Sequence, residues 1–181
     1  DDRFRTPAHR SADRFAVMCR EITDVVQHGK HLPQSDRWPR QLKLAQEALA
    51  NGRLTEKGDI AIFDVRDDHN VDPLALYYFT RCPVGLMVQD HSQGGLKYTV
   101  GVNPTVDLPP TNLLGALTII AAAEYTKGPP CLAAAPVPGN ENWGGRKTVF
   151  GSPWNYGSRL SIDQVIELLE QAKNPKTGRF E

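Results

Sequence analysis

Cysteine is scarce: Cys19, Cys82 and Cys131 stand far apart in 181 residues, odd in number and with no C-x-x-C among them. Neither a zinc ribbon nor a disulfide framework is indicated. Reduced thiols are the plain reading, and with them a cytoplasmic location is expected. Long apolar runs are also missing. None approaches the roughly 20 residues needed to span a bilayer, so a membrane is not among the expected partners. Charge of one sign is absent too, because 21 Lys and Arg balance 21 Asp and Glu. That argues against a general nucleic-acid binder with a large basic surface, though it leaves room for a local phosphate site. There is no G-x-S-x-G, H-E-x-x-H, P-loop or G-x-G-x-x-G pattern, which removes the commonest hydrolase and nucleotide signatures. The sequence shows no internal repeat and no secretory segment of the usual pattern. It begins Asp1-Asp2-Arg3 rather than with Met, and is expected to be part of a longer protein.

What is present suits a soluble globular chain, with 40% hydrophobic and 23% charged residues. Its length allows a proper apolar core. Residues 1–57 carry 11 Lys or Arg against 8 Asp or Glu, whereas residues 58–181 carry 10 against 13, with the acidic excess gathered between Asp59 and Asp72.

Phe15, Met18, Ile22 and Val25 recur at helical steps within residues 11–27, with Ser11 as N-cap. A second helix is expected over residues 35–50, with Trp38, Leu42, Ala45 and Leu49 on one face and Asn51-Gly52 closing it. Ile60-Ala61-Ile62-Phe63 has the length of a buried strand. Asp72 and Pro73 suit an N-cap and first helical position for residues 74–81, with Cys82-Pro83 as the stop. Residues 84–89 and 97–102 read as an antiparallel hairpin turned by Asp90 to Gly95. Residues 112–126 are so apolar that a helix buried in the core is expected. A proline-broken loop follows over residues 127–142, then a strand over 147–150 and a turn over 151–157. A last helix spans residues 161–172, capped by Ser161. The tail after Lys173 is expected to fray. This order describes an α/β fold: a mixed sheet of about four to five strands with packed helices, preceded by two helices. Residues 1–57 are read as a helical connector, 58–173 as the α/β domain and 174–181 as a flexible tail.

Two stretches can carry chemistry. In Trp143-Gly144-Gly145-Arg146-Lys147-Thr148, consecutive glycines leave peptide N–H groups unscreened, Arg146 supplies a planar fork and Lys147 a point charge. Gly144, Gly145, Arg146, Lys147 and Thr148 are therefore the candidate phosphate-binding edge. A tight turn with a solvated basic pair is the plainer alternative. In Asp64 to Asn70, oxygen ligands and an imidazole could hold Mg²⁺ or Mn²⁺ through Asp64, Asp67, Asp68 and His69; acidic residues before a helix are also favoured by its dipole alone. Cys82 beside Arg81 is a candidate thiolate against an ordinary buried thiol. Trp143, Trp154 and Tyr156 could stack on a base or sugar, or close a core edge.

The series IAIFD, DPLALYYFTR, VGLMVQD, KYTVGV, NLLGALTIIAAAE, WGGRKTVFG and SIDQVIELLEQ resembles the C-terminal, DHH-associated domain of the DHH phosphoesterase superfamily, over roughly the last two-thirds of the chain. There the glycine loop, usually G-G-G-H, contacts a substrate phosphate, while Asp and His residues of a separate N-terminal domain hold Mn²⁺ or Mg²⁺ and the hydrolytic water. Gly144 and Gly145 match the glycines, and Arg146 stands where a third glycine or the histidine would be. No D-H-H triplet occurs; Asp67-Asp68-His69 echoes one. The resemblance implies the substrate-binding half of a phosphoesterase whose metal centre, with Mn²⁺ or Mg²⁺, lies largely outside this chain. The implied ligand is a nucleotide, another phosphate-containing small molecule or a short oligonucleotide, and a homodimer stays open. The competing reading is a non-catalytic ligand-binding or interaction module of the same fold.

Overall fold

Two adjacent strands inside the sheet are apolar at nearly every position, because both of their faces are covered. The computed structural model describes residues 19–20, 23, 26–28, 37–50, 52–66, 71–106, 111–126 and 142–181. The chain divides into two units, residues 1–41 and 42–181. In the first, Cys19, Arg20, Thr23 and residues 26–28 are helical, and the Thr23 hydroxyl donates to the Cys19 carbonyl at 2.9 Å. The remainder of the expected first helix, with its Ser11 cap, lies outside the described residues. Helix α1 (Arg37–Leu49) is the second expected helix, with Ala45 and Ala48 buried. Gly52 follows it at φ 73°, the left-handed geometry expected of a C-terminal cap.

The described residues of the second unit form six strands, one or two more than expected: β1 (Leu54–Lys57), β2 (Ile60–Asp64), β3 (Val84–Asp90), β4 (Leu96–Val102), β5 (Gly144–Arg146) and β6 (Val149–Gly151). Their order is β1-β2-β3-β4-β6-β5. Only β2 and β3 run parallel, so the sheet is mixed, as expected. A parallel pair needs a crossover. It is supplied by helix α2 (Pro73–Leu76) and a 3-10 turn (Tyr77–Phe79). Asp72 caps α2 as expected, its carboxylate accepting from Leu74 N at 3.0 Å. The expected helix over 74–81 is shorter, however. Thr80 turns extended, and its hydroxyl accepts from Cys82 N at 3.0 Å and donates to Glu56 at 2.5 Å, so side-chain bonds end the helix before Cys82-Pro83 can.

Pleating sends alternate residues to opposite faces. On one face Ile62, Leu86, Val88, Tyr98, Val100 and Phe150 join the core with residues of helices α3 (Leu114–Thr126) and α4 (Ile162–Gln171). Ser161 and Gln164 form a reciprocal capping box at the start of α4, and Val165, Ile166 and Leu169 are buried. Helix α3 departs from the expectation of burial all round. Ala116, Ile120 and Glu124 are buried, while Leu114 and Tyr125 are 45% and 82% exposed. A helix lying on one face of a sheet covers only the stripe that touches it.

The tail does not fray from Lys173. Asn174 N bonds to Arg179 O at 2.8 Å, and Phe180, an apolar ring at the end of the chain, is 5% exposed in the core. No described helix is long and apolar enough to cross a membrane.

Candidate functional site

The stretch expected as a glycine loop and then a strand over 147–150 is instead a hairpin, β5 and β6, turned by Lys147 and Thr148. Arg146 pairs with Val149 next to that two-residue turn, which makes them the hydrogen-bonded pair; Gly145 and Phe150, one step on, turn their amides outward. The register on the other side agrees, because Val102 N bonds to Thr148 O and Ser152 N to Tyr98 O, two residues either side of the Val100 and Phe150 pair. As β5 is the last strand among the described residues, the Gly145 N–H and C=O face that edge of the sheet. The turn is anchored from behind, where Leu113 N donates to Lys147 O at 2.7 Å.

The two glycines differ. A Cβ on Gly145 would come within 2.5 Å of Val149 O and closer still to Phe150 Cα, so this tight hairpin excludes any side chain there. A Cβ on Gly144 would meet no described atom within 4 Å. Trp143, just before them, is 6% exposed, stacks on Tyr98 at 5.7 Å between ring centroids, and packs edge-on against Phe150 at 5.9 Å. It is a core residue, and Tyr156 at 7% exposure is another. Of the three aromatic candidates only Trp154, 82% exposed, presents its ring to solvent.

A second glycine arrangement builds the opposite wall. Gly94 and Gly95 adopt φ 89° and 79° in the β3–β4 turn. A Cβ on Gly157 would lie 2.7 Å from Gly95 C, so the turn and residues 156–158 touch backbone to backbone. Gly157 N donates to Gly94 O at 3.2 Å and Ser158 N to Leu96 O at 2.7 Å. His91 completes the join. Its Nδ1 accepts from Gln93 N at 3.1 Å, which leaves Nε2 to donate to the Trp154 carbonyl at 3.2 Å.

Between these walls lies a cleft of about 910 Å³, a volume suited to a small-molecule ligand. Gly144, Gly145, Asn142, Asp90, His91, Ser92, Lys97, Thr99 and Trp154 contribute to its lining. Thr99, Gly151 and Gly144 form one register row across β4, β6 and β5, so they share a face. Lys97 stands on that face two residues earlier on β4. Arg146 belongs to the next row, with Gly101 and Val149, on the same face. Of the five expected phosphate-edge residues, the cleft therefore takes in Gly144 and Gly145. Arg146 is on the same face without lining it, and Lys147 and Thr148 sit in the hairpin turn.

Lys97 and Thr99 were not singled out from sequence. The signal was there: in LKYTVGV, Lys97 and Thr99 alternate with the buried Tyr98 and Val100, marking a strand with one uncovered face.

Asp64 and Arg66 are not among the residues that line the cleft. Both Asp64 oxygens are held by Arg66, Oδ1 by Nε at 2.8 Å and Oδ2 by Nη2 at 2.7 Å. That bidentate hydrogen bonding holds the carboxyl below its ordinary pKa, with burial opposing it. A cation at Asp64 would have to displace Arg66, and no group of three Asp, Glu, His or Cys that fits a metal ion occurs among the described residues. Asp67, Asp68 and His69 lie outside those residues. Cys82 is 7% exposed, and burial pushes its thiol up, the reverse of what an activated thiolate needs.

No family model and no curated protein matches the sequence. Among solved structures the chain is similar to the pGpG-specific phosphodiesterase PggH from Vibrio cholerae, at 12% identity and a TM-score of 0.48, over 94% of this chain and 53% of that one. The chain thus spans about half the length of that structure.

Proposed function

We propose that the cleft binds a phosphate ester and that the chain is the substrate-binding part of a DHH-like phosphoesterase acting on nucleotides or related phosphate esters. The observation that carries this reading is Gly144. Its neighbour Gly145 is required by the hairpin, but Gly144 meets no described residue where a side chain would be and lines the cleft. A glycine that no described packing needs, on a ligand-sized concavity, keeps the backbone approachable.

The surroundings suit an anion attached to a flat group. Lys97 brings a positive charge to the cleft and Arg146 a second to the same face, while the Gly145 amide faces the strand edge beside them. Trp154 offers an exposed ring on which a base can stack, worth about 1–3 kcal/mol where such stacking forms. Its carbonyl is held by His91, which fixes the wall it stands on. Metal-dependent cleavage, with Mn²⁺ or Mg²⁺, belongs in this reading to a centre that lies largely outside this chain.

Calorimetry of the chain with AMP, adenosine and inorganic phosphate tests the reading. AMP should bind more tightly than either fragment. Gly144→Ala should leave stability unchanged or raise it by up to about 1 kcal/mol, yet weaken AMP at least tenfold, and Arg146→Ala should weaken it to a smaller degree. Absence of AMP binding, or a Gly144→Ala affinity equal to that of the parent protein, overturns the proposal.

A further inference from the structure

Glu124 is the one buried acidic or basic side chain among the described residues, 3% exposed. Two costs weigh against it. A carboxylate taken out of water loses several kcal/mol of hydration that its partners must replace, and Glu124 lies in the last turn of α3, where the helix dipole disfavours negative charge. An apolar residue would fill the same stripe, with Ala116 and Ile120, at neither cost. The carboxylate accepts three hydrogen bonds from neutral donors: Trp143 Nε1 at 3.1 Å and Ser158 Oγ at 2.5 Å on Oε2, and Arg159 N at 2.9 Å on Oε1.

Those donors do not line the cleft themselves but stand directly behind its two sides. Trp143 directly precedes Gly144 and Gly145. Ser158 pairs with Leu96, one residue before Lys97, and ends the segment that Gly157 packs onto the β3–β4 turn. We infer that Glu124 is a positioning residue, which ties the glycine edge and the Lys97 wall to one helix and so sets the distance between them. As a device of the binding site it rests on the phosphate-ester reading; as a tie between two walls it stands on the hydrogen bonds alone.

Amide hydrogen exchange and AMP titration on the same variants separate the two. Glu124→Gln nearly keeps the shape but sets an amide donor where an acceptor was needed. Exchange at Gly144, Arg146 and Leu96, whose amides are in the ladder or bonded to Ser158, should quicken at least tenfold while Ile62 and Leu86 keep their protection, and AMP affinity should fall at least tenfold. Trp143→Phe keeps the stacked ring without the N–H and should loosen Gly144 and Arg146 only. Ser158→Ala should loosen Leu96 only. These two single-arm variants decide the matter if Glu124→Gln does not fold, because a role in general stability would loosen all sites together. Equal loosening of both walls by each variant, or none, overturns the inference. If the parent protein does not bind AMP, the phosphate-ester reading fails, and the exchange pattern still decides whether Glu124 ties the walls.

Discussion

One face of the sheet uses glycine in two opposite ways. Toward β3, Gly85 and Gly101 are cross-strand partners, and the Tyr77 ring lies over both. A Cβ on Gly85 would collide with that ring and reach 2.9 Å from Phe63, and one on Gly101 would lie 2.7 Å from the Tyr77 hydroxyl. The ring meets Phe63 edge-on at 5.7 Å, and its hydroxyl donates to Gly101 O at 3.0 Å. Toward β5, Gly144 has no described atom over it and opens onto the cleft. In the first region the chain fills the space that its glycines leave. In the second the space is available to a ligand, so what stands above a glycine tells more about its purpose than the glycine does.

The comparison breaks most severely at Tyr77. Tyr77→Ala should empty the filled region and destabilise the protein by about 3–5 kcal/mol, the range for deleting a buried aromatic ring, read from urea denaturation midpoints. Within the open region, Gly145→Ala should cost about 1–3 kcal/mol by overpacking against Phe150 and Val149. Its contrast with the near-neutral Gly144→Ala would show that only one glycine of the pair is structural; equal losses at both would erase the distinction.

The smallest effect is expected on the opposite side of β3, where Asp64 and Arg66 stand at the end of β2. Because Arg66 lowers the folded-state pKa of Asp64, the pair stabilises the protein above the usual carboxylate pKa of about 3.9, and this contribution fades as pH falls through the lowered value. Asp64→Asn should therefore cost under about 1 kcal/mol at neutral pH, since the pair is partly exposed. Its urea midpoint should approach that of the parent protein in acid. A constant difference between pH 7 and pH 2 would contradict the assignment.

Much of the fold was legible locally. The β3–β4 hairpin, the Asp72 and Ser161 caps, the left-handed Gly52 and the apolar β2 depend on contacts within a few residues, and pattern alone specifies them. The errors arose where distant partners decide. Thr80 stops its helix through Glu56, 24 residues away, and Phe180 pins a tail that its own polar neighbours suggested would fray. Strand β5 exists because β6 is there to pair with it; Gly144 and Gly145 have little strand preference of their own. The candidate site was half legible. Gly144 and Gly145 stood out, whereas Lys97 and Thr99 come from a strand 45 residues or more earlier and reach the same face only by register.

By itself the sequence determined the kind of fold, the caps, the central hairpin and the presence of a glycine pair beside positive charge, because propensity and periodicity act along the chain. Only the tertiary structure decided that Trp143 is core and Trp154 is not, that Gly145 serves the hairpin and Gly144 the cleft, and that a buried Glu124 joins the two walls. For Trp143 and Glu124 those outcomes depend on atoms that meet across 19 to 45 residues of chain, and for Gly145 on a neighbour four or five residues on; burial, steric exclusion and hydrogen bonding act over a few ångströms whatever the sequence separation.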